Sequence, residues 1–266
     1  MTTNSYFSPQ RFLNYLKFDL KINAKTYLFF AIGLLVVLFF ADYFSISQTN
    51  STIGYTEKQY SPLFFVMFTI CSILVMATSF PELRNKKEAS HYFLLPASTF
   101  EKILVQFLIR IVAFTVVFFL IFWIDFKMTH IIYQAIEWNK PIAIKSFDLF
   151  TPFYDLTRTT DLIAVILAMF SVATFLLMGS SIFRKYALFK TILSFGILLG
   201  IFFLTMVFYS HVFYPEKVKN FFSIEIQSYK IRPYLYNVQL FVYILISFAS
   251  LFFLPLTYFK LKEKQV

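Results

Sequence analysis

The chain has 266 residues, of which 59% are hydrophobic, 22% aromatic and only 14% charged, with a net charge of +10. Soluble domains carry about 25% charged residues, so this composition excludes a soluble enzyme and a disordered protein. The single cysteine, Cys71, cannot form an internal disulfide, which excludes a disulfide-stabilised secreted domain. The composition therefore predicts an all-α, polytopic membrane protein.

The first 26 residues form a tail that is more polar than the sequence after it. Ser8 can cap a helix that has Pro9 at its first position, and Phe12, Leu16 and Leu20 follow at a spacing of four. This spacing predicts an amphipathic helix on the inner leaflet; the alternative is a cytoplasmic tail that is merely hydrophobic. The tail lacks the features of a cleaved signal peptide, so we expect the first span to be retained.

Six later stretches are long and apolar enough to cross a membrane as helices. Three ionisable residues, Asp42, Arg110 and Asp161, fall near the ends of these stretches, where we expect their side chains to reach an interface. The predicted spans cover residues 27–44, 61–80, 103–124, 162–183, 188–210 and 238–259.

Basic residues are distributed unequally between the two sides of these spans. The whole excess charge of +10 lies in both termini, the second-to-third connection and the fourth-to-fifth turn. Because Lys and Arg are retained on the cytoplasmic side, both termini are predicted to be cytoplasmic, in a bacterial cytoplasmic (inner) membrane. The basic charge is then a topology signal facing the lipid bilayer, and we expect no nucleic-acid partner.

The connection between the second and third spans, residues 81–102, has an unusual pattern. Residues 82–95 can form about three helical turns, and Pro96 must interrupt them. Ser98 and Glu101 then fit a capping box at the start of the helix that becomes the third span. The pattern predicts a short helix, a corner and a span, a rigid lever on which a partner could act. The alternative is a charged loop that only fixes topology.

Two segments on the opposite side, residues 125–161 and 211–237, are long and rich in aromatic residues. They fit either short helices at the outer interface or an ordinary aromatic belt.

Motifs for catalysis and for cofactor or metal binding are missing. None of the five glycines precedes a lysine, so the chain has no phosphate-binding loop, and we expect neither a cofactor nor enzymatic activity. The three histidines, His91, His130 and His211, are too far apart in the sequence to predict a metal site. Gly196 and Gly200 form a GxxxG pair, which predicts close helix packing.

One string in the lever carries a family resemblance. Leu94-Leu95-Pro96-Ala97-Ser98, followed by Glu101-Lys102, resembles the "LPxS" stretch in membrane subunits of ABC-2-type ABC transporters, particularly Bacteroidetes-type members. Phe12-Leu13-Asn14, with Asp19 and Asn23 after it, is similar to the N-terminal helix of those permeases.

The resemblance implies a permease, an exporter of a lipid, peptide or drug-like molecule, that works with a second permease copy or paralogue. Its energy would come from a separate ATPase subunit docked on residues 81–95, which would form a coupling helix. It implies that the ATPase contacts Glu82, Arg84, Lys86, Lys87, Glu88, Leu94 and Leu95, next to a corner formed by Pro96, Ser98 and Glu101.

Two other classes remain open from the residues alone. A stand-alone membrane sensor or scaffold would use the outer segments as its receptor surface. A membrane-embedded enzyme would need polar catalytic groups within the spans, and the sequence offers no motif for them.

Overall fold

The computed structural model describes residues 7–49, 54–136, 145–154, 159–183, 185–213, 215, 222, 229–232 and 235–264, and it is almost entirely helical. The nine α-helices of this described part are α1 (Pro9–Ile22), α2 (Ala24–Ser47), α3 (Glu57–Ala77), α4 (Lys86–Leu94), α5 (Thr99–Phe107), α6 (Phe114–Ile136), α7 (Thr159–Ile182), α8 (Ala187–Phe213) and α9 (Asn237–Glu263).

Six helices are long and apolar enough to cross a membrane, which confirms the predicted number. The third is α5 joined to α6 through a π-helical turn, Leu108–Ala113, to give one helix of 38 residues, Thr99–Ile136. The prediction ended this span too early, because Asp125 and Lys127 interrupt its apolar run. The helix continues because Asp125, Thr129 and Tyr133, spaced by four, are buried on one face.

The packed helices have two ends, which we call the near end and the far end. The near end is where α1 lies against α5 and where the lever helix α4 follows the end of α3. At the far end, α2 stops at Ser47 and α3 begins at Glu57. Between the ends α2 packs along α6, and α3 contacts both α6 and α7, while α7 packs most extensively on α9.

Two short strands, β1 (Lys230–Arg232) and β2 (Leu235–Tyr236), pair antiparallel just before α9. The all-α prediction missed them within the segment 211–237. Strands of two and three residues carry too little alternation of apolar and polar residues to be recognised. The rest of that segment beyond α8 lies largely outside the described residues.

Candidate functional site

The lever begins with a buried turn at the end of α3. Phe80 adopts a φ of 51°, an unusual value for a residue with a side chain, and a 3-10 turn, Pro81–Arg84, follows it. Phe80 and Leu83 are both buried in the near-end core, and this packing holds the strained backbone in place. The chain then forms α4, breaks at Pro96 and resumes as α5, so the predicted short helix, corner and span are confirmed.

The corner carries the predicted capping box. The Glu101 backbone N–H donates to Ser98 Oγ at 3.1 Å, and the Ser98 N–H donates to Glu101 Oε2 at 2.7 Å. These reciprocal bonds satisfy N–H groups that the first turn of α5 leaves without helical partners.

Glu101 also joins α1 to the corner, a role that local sequence pattern does not reveal. Its carboxylate is 0% exposed and accepts hydrogen bonds from the Ser8 N–H at 2.7 Å and from Arg11 Nη2 at 3.1 Å. Ser8 occupies the predicted cap position before Pro9, but its side chain makes no capping bond with the described residues. The start of α1 is therefore held by the glutamate of α5.

Lys102 ties α4 to α5. This lysine is 1% exposed, and its Nζ donates to the backbone carbonyl of Tyr92 at 2.7 Å and to that of Phe93 at 3.4 Å. It also lies 4.8 Å from the centre of the Tyr92 ring. A cation at the end of a helix satisfies carbonyls that lack helical partners. The sequence predicts Lys102 as a cytoplasmic topology charge and as part of the string that carries the family resemblance, but it does not indicate these contacts.

A small cavity of about 210 Å³, lined mainly by apolar atoms, lies between α1 and α4. Its wall also includes the polar side chains of Tyr15, Asp19, Glu82, His91 and Tyr92. Burial raises the pKa of the Glu82 carboxyl above its ordinary value, and it also raises the pKa of the Tyr15 and Tyr92 phenols. The two tyrosines therefore stay neutral, and burial favours the neutral form of Glu82.

A buried aspartate organises the junction of α1, α2 and α5. Asp19 accepts hydrogen bonds from Asn23 Nδ2 at 3.2 Å, Tyr27 Oη at 2.6 Å and Gln106 Nε2 at 3.4 Å. Three helices are thus joined through one carboxylate, and Asp19 and Asn23 were singled out only through the family resemblance.

Arg110 extends this network instead of reaching an interface. It is buried in the π-helical turn, where Nη1 donates to Thr78 Oγ1 at 3.1 Å and Nε donates to Gln106 Oε1 at 3.4 Å. Its guanidinium lies 5.4 Å from the centre of the Tyr27 ring. The expectation that Arg110 snorkels is therefore wrong, because partners from α3 and α5 hold it inside.

The residues expected to contact an ATPase divide into two sets. Arg84, Lys87 and Glu88 are exposed, and Leu94 is 80% exposed. Glu82 and Leu95 are half-buried, and the side chain of Lys86 lies outside the described part of the chain.

The far end holds two buried aspartates, which the sequence predicts at an interface and at the start of a loop. Asp42 is 0% exposed and Asp125 is 1% exposed, so neither reaches an interface. Asp42 does not snorkel as expected, and Asp125 lies within a helix rather than at the start of a loop, because α2 and α6 pack together over both. Asp161 is half-buried in the first turn of α7, so it lies close to the N-terminus of that helix.

Part of the predicted outer segment 125–161 packs on the far end. Lys145 Nζ bonds Glu57 at 2.6 Å, and the Phe147 ring stacks on Tyr60 with ring centres 4.5 Å apart. Phe150 remains exposed. The choice between interfacial helices and an aromatic belt stays open, because residues 137–144 and 155–158 lie outside the described part.

The glycine pair on α8 has no neighbour in the described structure. A Cβ built on Gly196 or Gly200 would meet no atom of the described residues within 4 Å. The tight approach is instead at Gly179 on α7, where a Cβ would collide with the side chain of Thr191 on α8. The close packing predicted at Gly196 and Gly200 is therefore not formed within the described residues.

No protein-family model, curated protein or solved structure matches this chain. Among the described residues, no group of three or more His, Cys, Asp or Glu side chains could hold a metal ion.

Proposed function

We propose that this chain is the permease subunit of an ABC-2-type exporter, driven by a separate ATPase that docks on the exposed face of the lever. The observation that carries the proposal is the attachment of α4 at both ends. The 3-10 turn packs at its start, and the buried Lys102 holds the carbonyls at its end. A force applied to α4 would therefore reach the third span rather than bend a loop.

The same connection reaches α1. Glu101 holds Ser8 and Arg11, and Asp19 holds Gln106, so α1 follows α5 when the corner moves. In our proposal the ATPase closes on nucleotide, pushes α4, and tilts α1 together with the third span.

We place the near end in the cytoplasm, where the positive-inside rule puts both termini. Leu13, Phe18, Leu20 and Ile22 of α1 are exposed in the single chain. These four residues lie on two opposite sides of α1, while Phe12 and Leu16, which were predicted to face the leaflet, pack on the near-end core. The exposed apolar side chains would contact lipid if α1 lay in the inner leaflet.

A second permease copy or paralogue would pack on α8. Only 11% of the most apolar stretch of α8 is buried against the described part of this chain. The space next to Gly196 and Gly200 is empty there, so another helix could approach closely.

The test of the docking site is a charge reversal, Lys86→Glu with Lys87→Glu. We expect loss of most ATPase subunit from the purified complex and a matching loss of ATP-driven transport, since the reversed charges repel an acidic partner surface. The matched control is Lys185→Glu with Lys262→Glu, which changes two exposed lysines elsewhere. Equal retention of the ATPase by both double variants would contradict docking on the lever.

A further inference from the structure

The two buried aspartates at the far end face each other across two packed helices. Asp42 lies on α2 and Asp125 on α6, and both are fully inside the bundle. The two carboxyl groups interact electrostatically across the contact between α2 and α6. A hydrogen bond between them requires a proton on one, because an ionised carboxylate can only accept.

No donor from the described residues reaches this pair. All four carboxyl oxygens are buried without a hydrogen-bond donor, and so is the hydroxyl oxygen of Thr129, one turn beyond Asp125 on α6. Thr129 is 0% exposed and shares the buried face of α6 with Asp125. The buried Asp19 at the near end differs, since it has three donors.

Among the described residues, no cation forms a hydrogen bond or ion pair with either aspartate. The titratable groups that act on it are the Tyr55 and Tyr60 phenols, which bring no positive charge. Lys127 of α6 is exposed and lies 3.8 Å from the centre of the Trp123 ring. The other titratable groups on these helices are Lys25 and Tyr27 in the first turn of α2, His130, half-buried on α6, and two phenols, on Tyr43 of α2 and Tyr133 of α6. The rings of Tyr43 and Tyr133 pack together 5.6 Å apart.

Two negative charges in contact in an apolar interior are strongly unfavourable, so something must reduce the charge. A calcium ion takes six to eight oxygen ligands, more than the four carboxyl oxygens and one hydroxyl present here. A proton needs only the two carboxyl groups. We propose that Asp42 and Asp125 bind one proton between them and form a proton-binding site within the membrane domain.

The proton would hold α2 against α6. When it leaves, two like charges face each other between these helices, and the helices must separate or admit water. The site would therefore make the packing of the far end depend on pH. This inference does not depend on the proposed transport function, because it concerns only the residues of this chain.

The test is the pH dependence of thermal unfolding of the full chain in detergent, with Asp42→Asn as the main variant. Because the folded protein holds one proton more than the unfolded chain, its stability falls as pH rises. The unfolding equilibrium constant should rise about tenfold per pH unit between about pH 5 and the pH at which the site deprotonates. Asparagine resembles a protonated carboxyl, so Asp42→Asn should lose this dependence, and Asp161→Asn should retain it.

A second measurement does not depend on variant stability. Infrared spectra of the wild-type chain at neutral pH should contain the carbonyl band of a protonated carboxylic acid, which shifts when aspartate is labelled with ¹³C. The band should be absent in Asp42→Asn with Asp125→Asn. Absence of the band in the wild-type protein would overturn the proposal. So would stabilisation by sodium but not potassium at fixed pH, which would indicate a metal cation.

Discussion

At the scale of single residues, the Glu101 side chain joins the corner of the lever to α1. Its carboxylate accepts hydrogen bonds from the corner and from α1, and Arg11 supplies the compensating charge. Hydrogen bonds to a charged group contribute more than neutral ones, and a buried donor left without its acceptor is costly.

Glu101→Gln keeps the size of the side chain and removes its charge. We expect a loss of about 1 to 3 kcal/mol in the free energy of unfolding, at the lower end if the half-exposed Arg11 is well solvated. Thermal unfolding of the purified chain measures this loss. Glu88→Gln is the control. Glu88 is exposed, and its carboxylate accepts a hydrogen bond from Asn85 Nδ2 at 3.0 Å, so the change should be within about 0.5 kcal/mol. Similar effects of the two variants would contradict the role of Glu101.

The sequence predicts contacts of this kind only over short distances along the chain. Ser98 and Glu101 are three residues apart, and a known local pattern identifies them. Asp19 and Gln106 are 87 residues apart, and no local pattern connects them. The pairing of Asp42 with Asp125 was missed for the same reason.

At the scale of elements, the contact between α7 and α8 is set by one glycine. Gly179 lies directly against Thr191, so the two helices approach each other without room for a methyl group. Gly196 is the opposite case, with open space around it in the described structure. The GxxxG spacing predicted the close contact at Gly196 and Gly200 instead. The spacing of a motif does not indicate which face of a helix contacts a neighbour.

Gly179→Ala should force α7 and α8 apart or displace the Thr191 side chain. We expect the free energy of unfolding to fall by about 1 to 3 kcal/mol, which thermal unfolding in detergent would detect as a lower Tm. Gly196→Ala should leave the Tm unchanged or raise it slightly, because alanine favours a helix by about 1 kcal/mol over glycine. The opposite order of the two Tm values would contradict the close approach at Gly179.

Helices with long apolar runs could be predicted from the sequence. Elements whose bounds depend on packing against other parts of the chain could not. All six spans follow from runs that match the thickness of a bilayer. The extension of α6 to Ile136 and the strand pair depend on neighbouring helices and on backbone pairing, which composition does not record.

At the scale of the whole molecule, six helices can span a membrane, and in the proposed function a separate subunit moves the lever at their near end. The lever, α1 and the third span are linked by Lys102, Glu101 and Asp19, so the near end would move as a unit. The sequence contains no phosphate-binding loop, and in the proposed function a separate ATPase supplies the energy for such movement. The fold class could be predicted from composition, whereas the proposed transport function depends on the family resemblance and on the geometry of the lever.

The measurement that tests this account most directly is purification of the chain from its native membrane in mild detergent, with mass spectrometry of the proteins that co-elute. We predict a nucleotide-binding ATPase subunit in near-stoichiometric amount and ATP hydrolysis by the purified complex. A chain that elutes repeatedly without an ATPase, in more than one detergent, would contradict the permease function and favour a sensor or scaffold.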